Sequence, residues 1–222
     1  MLSRKSKALY YLLASPFMTL NGLLYRFLRV PKREKLYVHL GPGQNNYIDG
    51  WINIDANMFT AKCDLWADLR NPLPFKDNTV DAIYSHHVVE HLPDINNHFC
   101  EVFRCLKPGG IYRVGCPNGD SAVRKFIEND FGWFGDFPDK RVSIGGRFEN
   151  FLLCRGEHLS IITYTYIDEI MLNAGFSDIK IYKPAKETGY MDLFKKCLEK
   201  EHESDYLCPH TLIVEGVKRM SR

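Results

Sequence analysis

The stretch "IYSHHVVEHLPD" places His86, His87, Glu90 and His91 within six residues. His87 and His91 stand four apart with Glu90 between them. This is the H-x-x-E-H order in which a helix offers two imidazoles to zinc and keeps a carboxylate beside the metal. Such a centre takes a further protein ligand from a separate element, and nothing in the sequence marks one. The expectation is therefore no metal, with His87 left to act as a proton acceptor. His158, in "RGEHLS", is a second imidazole suited to that task, since histidine exchanges a proton near neutral pH. His158 is favoured slightly over His87, because it ends a segment able to close over a bound molecule.

A second set of residues points to a nucleoside ligand. "KLYVHL" ends in Gly41-Pro42-Gly43, and glycines at such a turn let the backbone approach a ligand closely. "GPGQNN" lacks the third glycine of the dinucleotide fingerprint, which disfavours a nicotinamide oxidoreductase. Asp55 ends "WINIDA", where a carboxylate can accept hydrogen bonds from two vicinal ribose hydroxyls. Asp68 ends "CDLWADL". Its carboxylate can accept from an adenine amino group while the Leu69 N–H donates to the ring.

The elements that must position these residues read as alternating strands and crossovers. Strands are expected at 35–40, 51–56, 63–69, 80–85 and 110–117, then at 177–183 and 210–218. Helices are expected over 88–106, restarted near Pro93-Asp94, and over 164–176, closed by Gly175, with a polar helical insertion between the last two strands. The fold class is α/β, a Rossmann-like, doubly wound, mostly parallel sheet, whose ligands bind beyond the carboxyl ends of the strands. Residues 118–160 break the pattern. They are rich in aromatics, glycine and arginine and are expected to form a loop-like lid over the substrate. Within them Arg147 and Arg155 are placed to bind phosphate or carboxylate on an acceptor.

The run "LYVHLGPG…GWINIDA…ADLRNPLPFKDNTVDAIYSHHVVEHLPD…VFRCLKPGGIYRVGCPN" resembles the class I S-adenosylmethionine-dependent methyltransferases. Among them it is most similar to the small stand-alone members associated with cell-surface polysaccharides and other small molecules. The likeness covers about residues 36–118, with a weaker echo over 156–218. It implies S-adenosylmethionine as cofactor. Gly41 and Gly43 would line its methionine part, Asp55 would hold the ribose, and Asp68 with Leu69 the adenine. Ser85 and His86 would lie near the sulfonium. His39 departs from the family, which usually has an acidic residue two before the first glycine. A neutral imidazole there serves the methionine ammonium only as an acceptor. The sequence around His87 falls where the family often carries "EHL", so the zinc-like spacing reads as coincidental.

Composition bounds the rest. At 45% hydrophobic and 25% charged, 222 residues suit one soluble α/β domain with an appendage. Seven scattered cysteines without a C-x-x-C pair imply a reducing, cytoplasmic setting. The first 35 residues hold eight basic side chains and one acidic residue, Glu34, while the body is acidic in excess. That balance excludes nucleic acid for the body and suggests an anionic partner for the front. Residues 1–30 form an amphipathic segment, with Leu9, Leu12, Leu13, Phe17, Leu20, Leu23, Leu24, Phe27 and Leu28 on one face. It is read either as a helix packed on the domain or as a helix lying on the inner face of an anionic membrane. Residues 31–222 form the methyltransferase-like domain. The functions kept open are methylation of a hydroxyl on a sugar or lipid-linked glycan, a catalytically silent cofactor-binding scaffold, and, less favoured, the oxidoreductase.

Overall fold

The computed structural model describes residues 4–31 and 33–219. Residues 1–3 of the N-terminal segment, Lys32, and the side chains of Arg4 and Lys5 in its basic flank lie outside the described residues. Among the described residues seven strands form one sheet: β1 (Tyr37–Leu40), β2 (Ile52–Asp55), β3 (Leu65–Trp66), β4 (Val80–His86), β5 (Leu106–Pro117), β6 (Phe176–Tyr182) and β7 (Thr211–Lys218). Their spatial order is β3-β2-β1-β4-β5-β7-β6. The first five pair in parallel, and β7 runs antiparallel between β5 and β6. All seven strands match expected ones, although the third shrinks to two residues.

Among the described residues six α-helices accompany the sheet: α1 (Arg4–Leu24), α2 (Ile95–Cys105), α3 (Gly119–Ile127), α4 (Ile144–Leu153), α5 (Tyr164–Ala174) and α6 (Met191–Leu198). The main core joins Val38, Leu40 and Ile54 of the sheet to Phe99 and Val102 of α2 and Ile167 and Met171 of α5. On the opposite face Phe194 and Cys197 of α6 pack on Trp51, Ala82 and Tyr84. The segment expected as an irregular lid is instead two capped helices with a core of their own. Asn118 caps α3 through Ser121, and Ser143 caps α4 through Gly146. Ala122, Trp133, Phe134 and Leu152 are buried together between them.

The helix α1 runs unbroken through Pro16 and widens into a π-turn at Tyr25–Arg29. It packs on the domain with its small and polar side. Ala14, Met18, Gly22 and Tyr25 are buried, and the Asn21 amide donates to the Trp66 carbonyl at 2.8 Å. The large apolar residues point outward: Leu12 is 73% exposed, Phe17 66% and Leu28 75%. Among the described residues no helix is long and apolar enough to cross a membrane.

Candidate functional site

The parallel strands deliver the expected residues to one edge of the sheet. Gly41 and Gly43, beyond β1, have φ of +70° and +56°. A Cβ on Gly41 would stand 2.4 Å from Val88 Cγ2, so the turn has room only for glycine. Asp55, at the end of β2, accepts from the Gly43 N–H at 2.9 Å and from the Asn57 N–H at 2.8 Å. The glycine turn and the Asp55 carboxylate are thus held as one unit.

Asp68 is buried and engaged. Arg70 donates to it through Nε and Nη2, at 2.9 and 2.7 Å, and Ser15 of α1 donates at 3.1 Å. Burial works to raise the Asp68 pKa, but the Arg70 bonds and charge outweigh it and hold the carboxyl below its ordinary range. The Arg70 guanidinium also lies 3.6 Å from the centre of the Tyr11 ring. The expected adenine end is therefore covered by α1, the segment read as either packed on the domain or lying on a membrane.

Three expected cofactor residues reach into the protein interior. The Ser85 hydroxyl is buried within the core, 2.7 Å from the Tyr112 hydroxyl. His39 is 1% exposed, with Nδ1 3.0 Å from Asn53 Oδ1. Burial lowers its pKa to about 4, which keeps the imidazole neutral. The buried Nε2 of His86 has no partner among the described residues, and burial drives its pKa far below the ordinary value.

Beyond β4 the chain forms a short 3-10 turn, Val89–His91, rather than a helix. The helical geometry implied by H-x-x-E-H is therefore absent. His87 takes a left-handed φ of +55°, a strained conformation of the kind that collects at functional sites. Its Nδ1 lies 3.2 Å from Glu90 Oε1 and its Nε2 3.3 Å from Thr211 Oγ1. Glu90 is 1% exposed, and among the described residues its second oxygen has no hydrogen-bond partner. Burial pushes its pKa up, yet the bond from His87 and the neighbouring imidazoles hold it below the usual value. His158 donates Nδ1–H to the Leu152 carbonyl at 2.9 Å, and its ring centre is 4.9 Å from that of His91. Burial lowers its pKa. His87 and His158, the two expected bases, thus flank one buried carboxylate. Glu90 is the residue that sequence reasoning undervalued, and its only signal was its place between two histidines.

Above the end of β5 a cavity of about 580 Å³ is lined by Trp133, Phe137, Phe151, Asp130, Asp205 and His210. The Trp133 and His210 rings stack 4.1 Å apart. The two arginines expected to bind an acceptor anion are already engaged. Arg147 pairs with Asp136 at 2.6 Å, and Arg155 with Asp139.

Residues 54–114 match the family model described as "Methyltransferase domain". A SAM-dependent methyltransferase of Thermotoga maritima, described as a possible histamine N-methyltransferase, superimposes with a TM-score of 0.53 at 18% identity, over 97% of this chain and 96% of that one. This chain has the class I methyltransferase fold. Sequence relatives of the methyltransferase-like segment include the sterol 24-C-methyltransferase of Schizosaccharomyces pombe, 43% identical over 62 residues. Another is the demethylmenaquinone methyltransferase of Symbiobacterium thermophilum, 28% identical over 120 residues. These matches cover 28% and 54% of the present chain and span only 15% and 44% of the two relatives. The methyltransferase likeness read from the glycine turn and the strand-end aspartates is thereby supported, while neither relative is named for a sugar hydroxyl.

Proposed function

We propose that the protein transfers a methyl group from S-adenosylmethionine to a hydroxyl of a small acceptor, a sugar or lipid-linked glycan. The observation that carries the reading is the Gly41–Gly43–Asp55 unit, a positive-φ glycine turn bonded to a strand-end carboxylate. Asp55 retains acceptor capacity for a ribose diol, and the Gly41–Gly43 backbone leaves room for the methionine chain. The Leu69 N–H serves the adenine, with Asp68 beside it held by Arg70 and Ser15, Ser85 contributes through its backbone, and His39 and His86 border the methionine end as neutral imidazoles.

The chemistry needs alignment and one proton acceptor. The acceptor oxygen attacks the methyl carbon and forms the O–CH3 bond. The S–CH3 bond breaks with its electron pair going to sulfur, and sulfonium becomes thioether. The hydroxyl proton goes to His87 Nε2. His87 is preferred to His158 as the base because Glu90 accepts its Nδ1–H, which fixes the tautomer and stabilises the imidazolium as it forms. The α3–α4 cap, residues 118–160, forms the acceptor side. Its aromatic cavity with Asp130 and Asp205 suits a sugar, whose ring faces stack on aromatics and whose hydroxyls donate to carboxylates. The sterol relative favours a C-methylation reading, for which the same base would remove a carbon-bound proton instead.

The bare apolar face of α1 supports a second element of the proposal, docking on an anionic cytoplasmic membrane surface. Exposed Phe27 has Arg26 and Lys76 at its rim, and Arg29, Arg33 and Lys35 are exposed beyond it. A lipid-linked acceptor would then lie within reach of the cap.

Calorimetry with S-adenosylmethionine and NAD, followed by transfer of labelled methyl groups into lipid and sugar fractions of the native host, tests the reading. Binding of S-adenosylmethionine alone and label in a hydroxyl ether are expected. Binding of NAD instead overturns the cofactor assignment. Cofactor binding without transfer to any fraction favours the silent scaffold, and label on carbon overturns O-methylation.

A further inference from the structure

We propose that Glu90, His91 and His158 form a binding site for one divalent transition-metal ion of the zinc class. The expectation of no metal rested on a missing ligand from a separate element, and the fold supplies it. His158, beyond α4, approaches the turn that carries Glu90 and His91, and one ligand atom from each of the three lies within 4.8 Å of the others.

The hydrogen-bond pattern argues for a cation between them. His91 Nδ1 lies 3.0 Å from the Glu157 carbonyl, and His158 Nδ1 lies 2.9 Å from the Leu152 carbonyl. A carbonyl only accepts, so each ring carries its proton on Nδ1 and presents Nε2 as a bare lone pair. This is the outer-shell arrangement that orients histidine ligands in metal centres. The third party is a carboxylate, 1% exposed, whose Oε2 no donor reaches among the described residues. Its Oε1 is 3.9 Å from His91 Nε2, too far for a hydrogen bond. Three acceptors therefore converge with no hydrogen between them. A buried carboxylate with a free oxygen is costly unless a cation completes it.

The surroundings hold the ligands in place. Lys7 of α1 pairs with Glu157 at 2.5 Å, beside the carbonyl that anchors His91. Cys154 and Arg155 take left-handed φ values just before His158, an over-determined path into the site. His87 turns instead toward Thr211 and stays outside the ligand set.

Two imidazoles and one carboxylate suit zinc and leave a coordination position open for water or substrate. Ion binding at this site does not depend on the methyl-transfer reading.

The test uses the full chain, stripped with a chelator and titrated with Zn2+ under equilibrium dialysis. Co2+ serves as a spectroscopic substitute. One ion per chain is expected, with Co2+ ligand-field bands and no thiolate charge-transfer band, which excludes the free cysteines. His158→Ala and Glu90→Gln should each weaken binding by at least roughly tenfold, while Cys100→Ser leaves it unchanged. Thermal melts establish that the variants fold, and His158→Gln replaces any that does not. Substoichiometric binding, or affinity unchanged in a folded His158 variant, overturns the site. Calorimetry with S-adenosylmethionine on the same samples separates the two proposals. Loss of cofactor binding with zinc binding intact would sink the methyltransferase reading and leave the metal site standing.

Discussion

Asp55 and Asp68 looked equivalent in the sequence, two carboxylates at two strand ends, yet their surroundings set them apart. Asp55 accepts two backbone N–H bonds and keeps lone pairs for a ligand, whereas Asp68 is enclosed by Arg70 and Ser15. Replacing Asp55 with Ala should remove charge-assisted bonds to the ribose and reduce S-adenosylmethionine affinity by roughly tenfold or more. Calorimetry on the folded variant checks this, and unchanged affinity rules out the ribose role. Gly41→Ala should be harsher, because the new methyl meets Val88 and the φ of +70° disfavours any side chain. A loss of about 1–3 kcal/mol in urea unfolding is expected; a variant as stable as the parent would show that the turn can relax. Both residues were legible from glycine and aspartate at strand ends. The Arg70 clamp on Asp68 was not, since a basic residue two positions on has no periodic signature.

At the scale of elements, α1 shows where pattern reading stops. Its apolar period predicts a helix with one hydrophobic side, but periodicity is the same whether that side faces in or out. The outcome is decided by shape complementarity. Small residues at 14 and 22 and polar groups at 10, 15 and 21 let the helix lie close against β3 and its neighbours. A triple substitution, Leu12→Ser, Leu13→Ser and Phe17→Ser, should abolish flotation with anionic vesicles and leave the melting temperature nearly unchanged, because all three are exposed. Flotation of the parent should also weaken as salt rises. A parent that ignores the vesicles would end the docking idea, and a sharp drop in melting temperature would mean these side chains are buried in solution. The α3–α4 cap was misread for a related reason. Its cap residues were present, but Gly145 and Gly146 at the start of α4 dilute the helical signal, and long-range burial of Trp133 and Phe134 overrides it.

For the whole molecule, the buried histidines set a pH limit. Burial lowers His39 and His98 from the ordinary 6.5 to about 4. Between those values the unfolded chain binds protons that the folded chain refuses. Stability should therefore be complete above about pH 6.5 and fall as the pH drops toward 4, by on the order of 3 kcal/mol for each histidine. Urea midpoints measured from pH 7.5 to 4.5 check this, and a flat profile would mean that these rings are hydrated in solution. Strand existence and order of use were largely readable, since buried parallel strands announce themselves as apolar runs. The reversal of β7 was not, because direction depends on where the chain returns rather than on its composition.

Arg113 sits in the middle of β5 with no exposed surface, facing its register partner Glu215 on β7 at 2.5 Å and Glu201 through two bonds of 2.8 Å. Sliding β7 by one residue would turn Glu215 to the other face and strand a guanidinium in the core. The ion trio therefore works as an alignment pin for the last strand. It permits only the pairing in which Thr211 meets Pro117 and stands beside His87. A one-residue slip would therefore be penalised at the centre of the sheet by the ion trio, whatever happens to the hydroxyl and the imidazole at its rim.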